Sequence, residues 1–336
     1  MFRRLATSAL LAIAACASSA FAQTPVRFAL DWRFEGPAAA YLLAIEKGYY
    51  KAEGLDVTID PGQSSVESIN RLASGTHDIA FGDINSLIKF RDNKDNASVK
   101  AIAMVYNTPA FSIVSLKKSG ISKPKDLEGK ILGAPAPDGA FAQWPIFIKV
   151  NGVDGSKVKI ENVGFPIREP MLAQGKVDAI TGFSFSSFMN LKANNVAADD
   201  IVVMLMRDFG LDLYGNALLV SPKFAAEKPD AVKGFIRATL KGLQETIKAP
   251  EAAVKSVIAK NQIANEAVEL ERLKMALAQN IVTKEVEAIG LFAVDMARLS
   301  KSIDQLGDAF EFKAKPKAED IFDAQYLPAK DQRGVK

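Results

Sequence analysis

The sequence predicts an α/β protein of two lobes, with two hinge crossings and a helical C-terminal region. Three observations carry this reading. Short apolar strands alternate with amphipathic helices from Pro25 to Ile88, the pattern of a parallel sheet covered by helices. The alternation restarts at Ile131 after a charged turn, Ser122 to Lys130. Beyond Pro222 the pattern is helical almost to the end. A chain of 336 residues has room for two domains.

The elements follow in order. Pro25 to Leu30 is a strand with Val26, Phe28 and Leu30 on one face. A polar loop, Asp31 to Gly36, leads to Pro37 as a first helical residue, and Gly48 stops that helix. Leu55 to Ile59 alternates as a strand. Pro61-Gly62-Gln63 turns the chain, and Ser64 with Glu67 forms a capping box for a helix that buries Val66, Ile69 and Leu72. Ile79 to Phe81 is a strand, and Gly82-Asp83 opens a helix through Ile84, Leu87 and Ile88. Residues 101–106, 111–116, 131–133, 158–163, 177–181, 201–205 and 217–220 supply further strands. Val232, Phe235, Ile236, Leu240, Leu243 and Ile247 recur at steps of three and four, one packed face of a long helix. The tail after Phe312 reads as polar and irregular. The expected organisation is a leader over 1–22 and a first lobe over 23–114. A second lobe follows over 115–217, and 218–336 returns to the first lobe and adds the C-terminal helices.

The leader has a basic start (Met1 to Arg4), an apolar run (Leu5 to Ala17) and a small-x-small site at Ala20-Phe21-Ala22. That is the layout of a bacterial secretory signal. Ile13-Ala14-Ala15-Cys16 also loosely matches a lipoprotein box, which would place a lipid on Cys16, the sole cysteine. Export to the periplasm removes the chain from ATP, NAD and nucleic acid. Removing Arg3 and Arg4 from the 42 Lys+Arg leaves 40 against 39 Asp+Glu, a net charge of +1, which offers nothing to a polyanion. No later segment is apolar for long enough to span a bilayer. A monomer without metal or cofactor is expected. His77 stands alone, no Gly-x-Ser-x-Gly elbow is present, and no phosphate loop occurs.

Ligands of open α/β lobes sit where strands end and helices begin. That rule selects Asp31 and Trp32, the indole offering a flat face to a planar ligand or packing between the lobes. It selects Gln63, Ser64 and Ser65, where backbone N–H groups can donate or Ser64 can simply cap. Asp83 accepts from an amino group or caps its own helix. In the second lobe it selects Asp138 and Gly139. Trp144 follows, with Pro145 delaying the helix so that the indole faces the cleft or the core. Phe183 and Ser184 end another strand, and Tyr214 and Asn216 flank the return crossing. Arg168-Glu169 reads as a solvated pair starting a short helix, with Pro170 in its first turn. The shell is rich in rings and carboxylates and poor in cations. That suits a donor-rich nitrogen heterocycle better than an anion.

Leu30-Asp31-Trp32 followed by Ala44 to Val57 (AIEKGYYKAEGLDV) resembles the opening of the NMT1/THI5-like and SsuA-like periplasmic substrate-binding proteins. Gly62 to Ser65, Leu72 to Phe81, Leu127 to Gly133 and Ala173 to Ala179 resemble later segments of that family in order and spacing. The resemblance implies two lobes of the type II binding-protein kind that close on a small ligand. It also implies an ABC importer permease as the partner. Ligands across the family include thiamine pyrimidine precursors, riboflavin, sulfonates, taurine, nitrate and aromatic acids. In anion-binding relatives the loop matching Pro135 to Ala140 is often rich in Ser, Thr and Gly. Here two prolines remove amide donors and Asp138 adds a negative charge. The family also holds cytosolic pyrimidine synthases that keep pyridoxal phosphate on a lysine and consume a histidine of their own. Many relatives have that His shortly after the Asp-Trp pair, where this chain reads Phe34-Glu35-Gly36-Pro37-Ala38. The expectation is a receptor for a thiamine-precursor-like pyrimidine, with a sulfonate, nitrate or aromatic carboxylate as the alternative ligand.

Overall fold

A computed structural model describes residues 23–335 of the chain. The leader expected over 1–22, with Cys16, lies outside the described residues. Ten strands form two five-stranded sheets. The first contains β1 (Thr24–Ala29), β2 (Leu55–Asp60), β3 (Ile79–Asp83), β4 (Lys100–Met104) and β10 (Asn216–Val220). The second contains β5 (Phe111–Leu116), β6 (Ile131–Ala134), β7 (Lys159–Asn162), β8 (Ala179–Phe183) and β9 (Ile201–Leu205).

The strand orders are β2-β1-β3-β10-β4 and β7-β6-β8-β5-β9. Neither sheet is wholly parallel. β10 runs antiparallel to β3 and β4, and β5 runs antiparallel to β8 and β9. These two strands enter their sheets from the opposite lobe, so they arrive against the prevailing direction. Both lie inside their sheets and are buried along their whole length, as strands covered on two faces must be. All of β5 pairs within the second sheet, so that sheet begins at Phe111 and not at residue 115.

Local chemistry places the helices. Ser64 caps Ser65–Ala73 by accepting from the Glu67 N–H at 3.2 Å. The Glu67 carboxylate returns to the N–H of Gln63 at 2.8 Å, one residue earlier than in a simple capping box. The buried stripe of this helix uses Ser68 with Ile69 and Leu72, while Val66 is exposed. Helix Pro229–Lys248 buries Val232, Phe235, Ile236, Leu240 and Leu243 in the same core as helix Ala39–Glu46.

The C-terminal region serves both lobes. Helix Glu266–Ala276 packs against Ser184–Ala193 of the second lobe, and Met296–Phe310 packs against both Trp144–Asn151 and Ile84–Arg91. The tail is ordered rather than irregular. Phe322 bridges to Ala101, and Ile321, Phe322 and Tyr326 are buried. Apolar side chains spaced among charged ones hid this role in the sequence.

Candidate ligand-binding site

The chain crosses between the sheets at residues 105–110 and 206–215. A cavity, partly open to solvent, lies between the lobes. Its walls are the loops after β1, β2, β4, β6 and β7, together with Phe81 in the middle of β3, Phe183 at the end of β8, and the first turns of helices Ala39–Glu46 and Ser184–Ala193.

Asp31, Trp32, Gln63, Ser64, Ser65, Asp138, Gly139 and Phe183 all line this cavity. Asp31 is the best anchored. Its Oδ2 accepts from Ser65 Oγ at 2.9 Å and from Asn216 Nδ2 at 2.6 Å. Burial pushes its carboxyl up to about 7, against the lowering effect of those two bonds. Trp32 donates through Nε1 to Glu35 Oε1 at 3.2 Å. Its ring meets Phe165 of the other lobe at 4.8 Å between centroids.

Glu35 in turn accepts from Arg272 Nη1 at 2.6 Å. Arg272 also pairs with Glu269 at 3.2 Å, and Glu269 accepts from the Gly36 N–H at 2.6 Å. A Cβ at Gly36 would stand 2.2 Å from the Glu269 carbonyl oxygen, so only glycine lets this loop lie on the C-terminal helix.

The second-lobe wall has a different centre. Asp138 is buried, with Oδ2 accepting from Thr181 Oγ1 at 2.6 Å and Oδ1 from the Ala140 N–H at 3.2 Å. Burial raises its carboxyl, and the nearby Arg168 opposes the rise. The expectation of a solvated Arg168-Glu169 pair is overturned. Both residues are buried, Arg168 at 4% exposure, and Nε and Nη2 of Arg168 donate to Glu169 Oε1 at 3.0 and 2.6 Å. The helix begins at Phe165, with Pro166 in its first turn and Pro170 inside it. That earlier start turns Arg168 inward, over the Phe165 ring. With Arg33 also lining the cavity, the expected scarcity of cations does not hold.

Five predicted residues do not line the cavity. Trp144 packs in the core with its ring 6.1 Å from that of Phe147, because residues three apart share a helix face. Asp83 is buried and caps Ile84–Arg91, accepting from the N–H groups of Asn85 and Ser86. Asn216 stands behind the wall and supports Asp31. Ser184 is buried and donates to Gln279 at 3.3 Å. The Tyr214 hydroxyl bonds Glu285 at the hinge.

Sequence reasoning missed Phe165 and Arg168, although the strand-end rule applied to residues 158–163 reaches them. It also missed Tyr41, Phe81 and Tyr106, which line the cavity from within the first lobe. These read as core residues, and no local pattern separates them from the rest. His77 faces Asp60 at 3.0 Å, away from the cavity. Among the described residues no group of three or more His, Cys, Asp or Glu could hold a metal ion, and no helix is long and apolar enough to cross a membrane.

Two mixed α/β lobes, two crossings and a ring-lined cavity between them define the fold of the periplasmic binding proteins. The NMT1/THI5 like family model matches residues 37–253, and the chain belongs to that family. It is 28% identical over 282 residues to the formylaminopyrimidine-binding protein of Halalkalibacterium halodurans, covering 80% of this chain and 83% of that one. It is 27% identical over 219 residues to the riboflavin-binding protein RibY of Chloroflexus aurantiacus. That match covers 64% of this chain and 60% of RibY's own length. The solved structure of the alkanesulfonate-binding protein SsuA from Xanthomonas axonopodis pv. citri bound to MOPS superposes with a TM-score of 0.67. The identity is 14%, over 90% of this chain and 98% of that one. At that identity the likeness establishes the fold alone.

Proposed function

We propose that the protein is the periplasmic solute receptor of an ABC importer and captures a small planar nitrogen heterocycle of the pyrimidine kind. The observation that carries this reading is the wall composition. Trp32, Phe165, Phe183, Tyr106, Phe81 and Phe185 surround the space, and three carboxylates, Asp31, Glu35 and Asp138, line it against two arginines. Rings hold a flat ligand by stacking and edge contacts, and a carboxylate oxygen left without a side-chain partner among the described residues, Oδ1 of Asp31, selects an N–H donor. Two relatives named for a formylaminopyrimidine and for riboflavin, both nitrogen heterocycles, support the same class. The receptor reading, rather than a pyridoxal-phosphate enzyme, is supported by a lining that holds no lysine or histidine among the described residues. Closure about the crossings 105–110 and 206–215 would present both lobes to the permease.

The test is a thermal-shift screen of the mature protein against aminopyrimidines, flavins, taurine, alkanesulfonates, nitrate and aromatic acids. A specific ligand raises the melting temperature in proportion to the logarithm of its excess over Kd. Stabilisation by aminopyrimidines or flavins is expected. Stabilisation by the anions alone overturns the heterocycle assignment. An imine absorbance on adding pyridoxal phosphate would revive the enzyme alternative.

A further inference from the structure

The Arg168 guanidinium has one edge fixed and one edge free. Nε and Nη2 are held by Glu169 at 3.0 and 2.6 Å. Nη1 stands 3.8 Å from Asp138 Oδ2, beyond hydrogen-bond distance, and donates to no described residue. The residue is 4% exposed and lines the cavity. The group lies against the bare backbone of Gly182, where a Cβ would stand 3.1 Å from Cζ and 3.2 Å from Nη1. A buried guanidinium in a fixed fork, lining a cavity and with Nη1 unspent, is built to meet an acceptor.

The facing wall makes the opposite demand. Asp31 Oδ2 is taken by Ser65 and Asn216, while Oδ1 has no side-chain partner among the described residues. Asp138 is no rival for the ligand, because both of its oxygens are already bonded to Thr181 and Ala140. The acceptor is neutral rather than anionic. Glu169 already balances Arg168, and a sulfonate or carboxylate would share the space with Asp31, Glu35 and Asp138.

Building on the heterocycle reading, we propose that Arg168 is the specificity-determining residue of the second lobe. Its free Nη1 edge donates to a carbonyl oxygen of the ligand, while Asp31 accepts from an N–H on the opposite side. The ligand class is thereby narrowed to planar heterocycles with an N–H edge toward the first lobe and a carbonyl toward the second.

Titration calorimetry with two matched probes tests this. One is 4-amino-5-(formamidomethyl)-2-methylpyrimidine. The other is its 5-butyl analogue, which keeps the ring and the length but lacks the formamide, its N–H as well as its carbonyl. The wild-type protein should bind the first at least about tenfold more tightly, the range of a hydrogen bond to a charged donor. Arg168→Gln should bring the two probes within about threefold of each other, chiefly by weakening the first. Equal binding of both probes to the wild type overturns the proposal, and this arm needs no variant. Undiminished discrimination in Arg168→Gln also overturns it, since another group then reads the formamide. Should that variant fail to fold, Arg168→Lys keeps a charge between Asp138 and Glu169, and its loss of the fork should reduce the discrimination. If neither probe binds, the heterocycle reading itself fails. Binding of both without discrimination leaves that reading intact and removes only the role of Arg168.

Discussion

Trp32 of the first lobe and Phe165 of the second meet edge to face across the cleft, with an interplanar angle of 70°. The chain has two tryptophans, and the other, Trp144, is buried beside Phe147 away from the cavity. Intrinsic fluorescence should therefore report on Trp32 alone when a ligand enters. Trp144→Phe should keep a ligand-dependent emission change, and Trp32→Phe should abolish it. Trp32→Ala should weaken binding by ~1–2 kcal/mol, about five- to thirtyfold. A ligand response that survives Trp32→Phe contradicts this assignment.

Asp31 gives a pH dependence with a definite sign. Its folded carboxyl sits near 7, above the ordinary 3.8, because burial disfavours the charge. Such a group favours the folded state fully below the unfolded value, and that contribution is lost as pH rises through the folded one. Asp31→Asn, which never ionises, escapes the loss. Its stability relative to wild type should therefore rise between pH 4 and pH 8 by ~2–4 kcal/mol, measured by urea denaturation at each pH. The other buried carboxyls are common to both proteins and cancel in the difference except for Asp83, whose charge is coupled to that of Asp31. A pH-independent difference would mean that Asp31 titrates normally.

Arg272 neutralises two acids at the base of the Trp32 loop. It is 4% exposed and holds Glu35 at 2.6 Å and Glu269 at 3.2 Å. Arg272→Met leaves those carboxylates without their cation and should cost ~3–5 kcal/mol of stability. Because Glu35 also fixes the indole of Trp32, weaker ligand binding should accompany the lower melting temperature. A loss below about 1 kcal/mol would show that the pair behaves as a solvated one.

Gly36→Ala should fail for a different reason. The added methyl would meet the Glu269 carbonyl oxygen at 2.2 Å and the Leu273 nitrogen at 2.9 Å, both backbone atoms that cannot swing aside. The expected cost is ~1–3 kcal/mol. The wild-type melting curve would show the close approach to be dispensable.

Strand positions were legible because buried strands leave unbroken apolar runs between turn residues. Phe111 to Leu116 and Ile201 to Leu205 match the runs read from the sequence end to end. Strand direction was not legible. The runs of β5 and β10 look like any other, and only their partners reveal that they run antiparallel. The site divides in the same way. Loops at strand ends can be found from spacing, which led to Asp31, Trp32, Ser65 and Asp138. Where each side chain leans depends on its neighbours in space. Pro145 does delay a helix, yet that helix turns Trp144 toward Phe147. Arg168 looked like a surface cap because the groups it packs beside, Asp138 and Gly182, are far from it in sequence.

Arg298 donates to the Asn107 carbonyl, 191 residues earlier, and to the Leu213 carbonyl and the Asp212 and Glu285 carboxylates. Both connecting segments thus meet one guanidinium contributed near the end of the chain. During synthesis the two sheets emerge complete well before that clasp exists. The tie between the two connections is therefore made late, and a chain shortened before Met296 would keep both sheets and lose the group that holds their connections together.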